Sequence, residues 1–284
     1  MAVAVITDTC ASIPQELVGE LRIEVVPYYV HIEGKTYRDW VDITTEELAR
    51  YMPTARNLPT TANPGPGDYL AAFERVSEWA NQIVTVHMTS WGSGAYQAGL
   101  VAKEMARERF PHLQIEVVDT KQVAMAHGWA AIEAARAALT GAPLAEVVRV
   151  ARDVASRAMM IETTDTLRYL YMGGRIGRAK HLVASVLNIK PLIGMDDGVI
   201  VALGQARSRQ KAYEKMIALM EKKAGAGAPV KVAITHVADI GEAQKLKEMV
   251  EGAFECRELV VTELSPALAV HTGPGTVGVC FYPL

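Results

Sequence analysis

The stretch at residues 88–97, MTSWGSGAYQ, contains the side chains best suited to bind an anion. It follows the apolar run at 83–86, which predicts a buried strand, and precedes residues 98–109, whose apolar spacing is helical. A strand that passes through Ser and Gly residues into a helix leaves backbone N–H groups unpaired at the helix N-terminus. Ser90 and Ser93 add hydroxyl donors. The stretch therefore predicts an oxyanion site, with an ordinary capping turn as the alternative.

Three further polar clusters lie between regular elements of the predicted structure. Thr60 and Thr61 are in segment 58–67, whose Pro, Gly and Thr content predicts a loop and excludes helix or central strand. The GGR turn at 173–175 follows a short helical pattern and is typical of a helix C-terminus. His271 is in the motif HTGPGT, which we predict to be a loop. A histidine there favours ligand binding or catalysis over a core position.

Composition limits the classes of protein that the chain can belong to. Its 284 residues are 50% hydrophobic and 21% charged, which is typical of a globular protein large enough for two domains. The net charge of −3 disfavours a nucleic-acid binder. Three cysteines are too few for a disulfide framework and too scattered for a metal site, so we expect a reducing compartment and no metal. Without a basic leader or a run of eighteen apolar residues, we predict a cytoplasmic protein with no membrane span.

The order of elements predicts an α/β protein with two domains. Strands alternate with helices through the first half, so residues 1–158 are expected to form an open, mostly parallel sheet flanked by helices. Residues 159–284 are expected to form a mixed α/β sheet domain. Ser12 before Ile-Pro predicts an N-cap for the first helix, and residues 180–187 predict a short helix.

Eight motifs occur in one order along nearly the whole chain. They are ITDTCASIP, PTTANP, TSWGSGAYQ, VVDT, TLRYLYMGGRIG, LNIKPLI, the segment with Arg207 and Arg209, and HTGPGT. In this order they resemble the DegV family of bacterial fatty-acid-binding proteins, which includes the lipid-carrying subunit of fatty acid kinase. Where that family commonly has Leu-Ser-Gly-Thr, this chain has Gly-Ser-Gly-Ala at residues 92–95.

The resemblance implies one long-chain fatty acid as the ligand, held between the two domains or within one of them, no cofactor, and a separate kinase as partner. It assigns the residues of this chain to three groups. The carboxylate is expected at Thr61 and Ser93, with Thr60, Ser90 and Gly94 beside them; Arg175, His271 and Gly174 are expected near the headgroup, and Arg207 and Arg209 on a kinase-docking surface. Transient contact with a membrane surface fits the same role.

The energetics of such a ligand agree with the composition. Each buried methylene contributes roughly 0.8 kcal/mol, so sixteen carbons supply on the order of 10 kcal/mol, against about 1 kcal/mol for each hydroxyl hydrogen bond. The tail would supply affinity, and the donors would orient the carboxylate. The chain lacks a GxxxxGK[ST] loop, so ATP would be bound by the partner.

Two other classes of function remain open from the residues. Ser93 as nucleophile and His271 as base would suit a serine esterase or acyltransferase, although Gly92-Ser93-Gly94 lacks the GxSxG elbow. The Gly-rich loops would also suit a sugar-phosphate or nucleotide-phosphate binder. That function predicts a small polar ligand instead of an elongated apolar one.

Overall fold

The fold is seen in a computed structural model that describes residues 2–182 and 189–284. Its strands are β1 (Val3–Asp8), β2 (Glu24–Val26), β3 (Tyr29–Ile32), β4 (Lys35–Arg38), β5 (Thr60–Ala62), β6 (Gln82–His87), β7 (Gln114–Asp119), β8 (Met159–Thr163), β9 (Lys190–Asp196), β10 (Val199–Ala206), β11 (Pro229–His236), β12 (Glu255–Glu263) and β13 (Val277–Pro283). Its α-helices are α1 (Gln15–Glu20), α2 (Thr45–Tyr51), α3 (Pro66–Ser77), α4 (Ala95–Arg109), α5 (Ala124–Leu139), α6 (Leu144–Arg157), α7 (Arg168–Met172), α8 (Arg209–Ala224), α9 (Ile240–Ala253) and α10 (Pro266–Thr272). Short 3₁₀ helices span Thr9–Ala11, Met52–Thr54 and Gly177–Leu182.

The first half of the chain forms a parallel sheet in the strand order β2-β1-β6-β7. All six residues of β1 are buried, as expected for a parallel strand that is covered on both faces. The carboxyl ends of β1 and β6 lead into turns at the same edge of this sheet, where ligands of open α/β sheets bind. A small antiparallel sheet, β4-β3-β5, accompanies it.

The second half forms a mixed sheet in the order β10-β9-β8-β13-β11-β12. Only β11 and β12 are parallel among its neighbouring pairs. Asp197 and Gly198 both have positive φ, of 47° and 81°, so the turn between β9 and β10 is a tight hairpin as the Asp-Asp-Gly sequence predicts. The predicted fold class, a parallel-sheet domain followed by a mixed-sheet domain, is confirmed.

Helix α5 joins the two halves. It packs on β1 and also on β8, β11 and β13, and Trp129 on this helix donates its indole N–H to the Cys280 carbonyl oxygen at 3.0 Å. Arg136 of α5 also pairs with Glu258 of β12 at 2.6 Å. The strands of the parallel sheet all precede residue 158 and those of the mixed sheet all follow it, but one core crosses between them. The boundary at 158/159 therefore stays a prediction.

Three local predictions need correction, and one of them lies partly outside the described residues. Ser12 is not an N-cap: it has left-handed φ of 53°, and helix α1 begins after Pro14. Segment 58–67 is not all loop, because Thr60–Ala62 pairs with β3 as an edge strand between two prolines. The helix predicted over 180–187 is instead the 3₁₀ helix Gly177–Leu182, and residues 183–187 lie outside the described part.

The loop predicted around His271 is wrong, because His271 lies in the last turn of α10. The sequence carries the signals of this helix: Ser265 caps it by accepting from the Leu268 amide, Pro266 is at its first position, and Gly273 ends it with positive φ. The Gly and Pro residues after His271 mark the end of the helix, not a loop that contains the histidine.

Candidate functional site

A cavity of about 610 Å³ lies between the two halves of the molecule. One wall comes from the loop between β6 and α4, together with Thr61 and Asn63. Another part of the lining comes from the mixed sheet, with Met160, Ile193 and Met195. Its size is that of a site for a lipid or drug-sized molecule. The cavity thus joins polar residues from one half to apolar residues from the other.

Ser93 lies at the N-terminus of α4, as the sequence predicts. Its Oγ is 2.6 Å from the hydroxyl oxygen of Tyr28 and accepts from the Ala95 amide at 3.2 Å. Tyr28 is buried, and burial raises its pKa well above the usual value, so the phenol stays protonated. When Tyr28 donates, both lone pairs of Ser93 are used and its own hydrogen is free for a ligand.

Thr61 and His271 meet at the same cavity, although 210 residues separate them. Thr61 Oγ1 and His271 Nε2 are 2.8 Å apart. Burial and then the nearby charge of Arg175 lower the pKa of His271 to about 4, so its imidazole is neutral at pH 7. Its Nδ1 has no hydrogen-bond partner among the described residues. The tautomer with the proton on Nε2 avoids a buried, unpaired N–H and lets His271 donate to Thr61.

The GGR turn lines the cavity beside His271. A side chain at Gly173 would collide with His271 Nδ1, so only glycine fits there. Gly174 has φ of +71°, and Arg175 is exposed and donates from Nη1 to the Gly173 carbonyl oxygen at 2.7 Å. This arrangement places one cationic group at the rim of an otherwise neutral set of donors.

The structure brings most of the predicted site residues together. The cavity is lined by Thr61, Ser90, Ser93, Gly94, Gly174, Arg175 and His271. Thr60 is exposed and is not among the lining residues, since neighbours on a strand point to opposite faces. Gly94 lies against Asn63, because a Cβ added there would be 2.9 Å from Asn63 Oδ1.

Arg207 and Arg209 lie away from the cavity and differ from each other. Arg207 is exposed. The side chain of Arg209 is only 19% exposed; it pairs with Asp165 at 2.7 Å and donates to the Gly275 carbonyl oxygen at 2.6 Å. Of the two predicted docking residues, Arg207 is the one whose charge faces solvent.

Sequence reasoning missed Tyr28 and Glu162, which both line the cavity. Tyr28 comes just before an ordinary strand, and Glu162 lies inside a run that reads as a buried strand, Met159–Thr163. A charged residue in such a strand is a signal that could have been followed, since acidic side chains are almost never fully buried.

The geometry does not assemble the Ser93–His271 pair that an esterase needs. Ser93 bonds to Tyr28, whereas His271 bonds to Thr61 and has no acidic partner among the described residues. A serine nucleophile requires a base within hydrogen-bond reach.

Residues 2–182 and 189–284 contain no group of three His, Cys, Asp or Glu side chains that could hold a metal ion. Among the helices described, none is long and apolar enough to cross a bilayer.

Fold and site together define a two-domain α/β protein with a ligand cavity between a parallel and a mixed sheet. A model described as "Uncharacterised protein, DegV family" matches residues 2–284, and the chain belongs to the DegV family. A DegV domain-containing protein from Streptomyces coelicolor is 34% identical, over 98% of this chain and 97% of that protein.

Solved structures agree with this assignment. The structure of a DegV family protein from Thermus thermophilus, reported for its fatty acid binding, is 30% identical, covers 100% of both chains and has a TM-score of 0.91. A stearic acid-binding protein from Eubacterium ventriosum is 24% identical, covers 99% of this chain and 98% of its own, and has a TM-score of 0.88. At that identity the second structure supports the fold alone.

Proposed function

We propose that this protein binds one long-chain fatty acid, with its tail in the cavity and its carboxylate held by Thr61 and Ser93. The observation that carries the proposal is a pair of hydroxyls, Ser93 bonded to Tyr28 and Thr61 bonded to His271, on one cavity that the apolar side chains Met160, Ile193 and Met195 also line. A buried carboxylate requires donors, and each hydroxyl has its hydrogen free once its partner donates to it. The fatty acid binding described for the Thermus thermophilus relative supports the same assignment.

The carboxylate end of the ligand lies at the opening of the cavity in this proposal. Ser90, Trp91, Gly94 and Arg175 surround this end and are exposed, and Trp91 is 72% exposed. The N-terminus of α4 adds a favourable partial positive charge there. A separate ATP-dependent kinase could therefore reach the carboxylate and form an acyl phosphate while the tail stays buried.

Extraction and mass spectrometry test the binding function. We expect the purified protein to release one dominant long-chain fatty acid at close to one per chain. The double variant Thr61→Val, Ser93→Ala should retain the fold and bind that fatty acid at least tenfold more weakly, because two hydroxyl hydrogen bonds at about 1 kcal/mol each amount to more than a factor of ten. Absence of any fatty acid, or unchanged affinity in the double variant, would overturn the proposal.

Transfer assays with the ATP-binding subunit of a bacterial fatty acid kinase test the presentation step. We expect Arg207→Glu to slow acyl phosphate formation while fatty acid binding is unchanged. Arg152→Glu, another exposed arginine on α6 of the other half, is the matched control and should leave the rate unchanged. Equal slowing by both variants would mean that overall charge, not docking at Arg207, matters.

A further inference from the structure

Glu162 is a buried acidic side chain on the apolar wall of the cavity. It lies on β8, is 2% exposed, and lines the cavity together with Met160 and Ile193. Its Oε1 has no hydrogen-bond partner among the described residues. A buried polar group without a partner is rare in a native structure and is costly to keep.

The sheet makes room for this side chain. Glu162 is in register with Gly278 of β13, and Gly278 is in register with Thr235 of β11, so the three residues form a row on one face. A side chain at Gly278 would collide with Glu162 Cγ. Because Gly278 has no side chain, the Glu162 side chain can lie over the neighbouring strand. A packed apolar side chain at position 278 could otherwise fill that space.

Nothing in the described surroundings stabilises Glu162 as a carboxylate. Burial raises the pKa of Glu162 to about 7. The charge of Glu162 in turn contributes to the raised pKa of the buried Cys280 thiol on β13. The donors of the cavity, Thr61 and Ser93, belong to the other half of the molecule. In its neutral form Glu162 is a hydrogen-bond donor that faces a hydrocarbon site.

We propose that Glu162 binds a second oxygen of the ligand, so that the site accepts long-chain fatty acids that carry a hydroxyl or oxo group on the acyl chain. This proposal rests on the proposed function and names the ligand class of the same site. In the proposed function the ligand carboxylate lies at Thr61 and Ser93, and no described residue stabilises negative charge beside Glu162, so a second anion there is disfavoured. A neutral oxygen on the chain satisfies Glu162 without adding charge.

Competition binding with a series of monohydroxy octadecanoic acids, which differ in the position of the hydroxyl, tests the proposal against plain octadecanoic acid. We expect one positional isomer to bind about five- to tenfold more tightly than the plain acid in the wild type. Glu162→Gln, which keeps a donor and an acceptor, should retain most of that preference. Glu162→Leu should abolish it and bind the plain acid at least as well as the wild type.

Each outcome decides between this proposal and the function on which it rests. If octadecanoic acid binds and every hydroxylated isomer binds no better, or if Glu162→Leu keeps the preference, the assignment of Glu162 is overturned while fatty acid binding stands. If neither plain nor hydroxylated acids bind, the proposed function itself fails. Should Glu162→Leu not fold, the wild-type series and Glu162→Gln alone decide, since the absence of any isomer preference overturns the assignment.

Discussion

Two hydroxyl groups at the cavity opening each have a buried partner behind them. Tyr28 supports Ser93, and His271 supports Thr61. Both partners are neutral at pH 7, because burial raises the pKa of the phenol and lowers the pKa of the imidazole. Neutral groups therefore orient the Ser93 and Thr61 hydroxyls, and Arg175, the one Lys or Arg among the described lining residues of the cavity, is exposed to solvent.

Removal of the Tyr28 hydroxyl should weaken fatty acid binding through its effect on Ser93. In Tyr28→Phe, Ser93 loses one of its two hydrogen-bond partners and its hydrogen is no longer directed to the ligand, so we expect an affinity loss of about 1 kcal/mol by calorimetric titration. Tyr29→Phe is the matched control, because its hydroxyl donates to Asp68 at 2.9 Å and does not line the cavity. If Tyr28→Phe lowers the affinity as much in a Ser93→Ala background as in the wild type, the mechanism is contradicted.

At the scale of elements, short segments at the domain junction position the site. Helix α10 carries His271 to Thr61 on the edge strand β5, and α10 packs on β3, β5 and α7. Its capping residue Ser265 also donates its amide to Ser12 Oγ at 3.1 Å, which ties the helix to the turn after β1. The site therefore depends on a seven-residue helix that tertiary contacts hold in place.

Loss of the cap of α10 should affect stability and binding together. We expect Ser265→Ala to lower the free energy of unfolding by about 1 kcal/mol, because the Leu268 amide loses its acceptor, and to weaken fatty acid binding through His271. Ser208→Ala, which removes the equivalent cap from the Lys211 amide of α8, is the matched control. It should lower stability in urea unfolding and leave affinity unchanged; equal affinity losses in both variants would refute the link to α10.

At the scale of the whole molecule, burial shifts the pKa values of several ionisable groups in the direction that favours their neutral forms. Burial raises the pKa of Asp8 to about 8, of Asp39 to about 7 and of Glu162 to about 7. Each of these acids binds a proton in the folded state at pH values where the unfolded chain has released it. Their contribution to stability is therefore greatest at low pH and is lost as pH rises toward the folded pKa.

Buried histidines act in the opposite direction at lower pH. Burial lowers the pKa of His87 to about 3 and is the main cause that lowers those of His127 and His271 to about 4. Below the ordinary histidine pKa of 6.5 the unfolded chain binds these protons and the folded protein does not, so stability rises with pH up to 6.5. The two sets of groups offset each other below that pH, and only the acids contribute above it.

The free energy of unfolding should therefore fall between pH 6.5 and about 8. We expect chemical denaturation at a series of pH values to show this decline, and Asp8→Asn to show a shallower one because its amide does not titrate. Asp42→Asn is a control with an exposed carboxyl whose pKa is lowered by Arg38 to about 2, and it should keep the full decline. A stability that is flat or rises over this range would contradict the assignment of neutral buried acids.

The sequence by itself determined the fold class and the donor loop. Alternating buried strands and helices required a parallel sheet, and a Ser- and Gly-rich turn between β6 and α4 required open backbone donors whatever the rest of the chain did. These are local consequences of residue type and spacing. Ser90, Ser93 and Gly94 of this turn all line the cavity, and their role in binding a carboxylate stays a prediction.

Only the tertiary structure decided which side chains meet at that loop. Tyr28 lies 65 residues from Ser93, and His271 lies 210 residues from Thr61, so no periodicity could pair them. The position of Glu162 over Gly278 likewise follows from strand register, which a shift of one residue would have reversed. The local sequence pattern determines the secondary structure of a segment, whereas contacts between distant segments determine which residues it faces. The ligand cavity is formed by such contacts between distant segments.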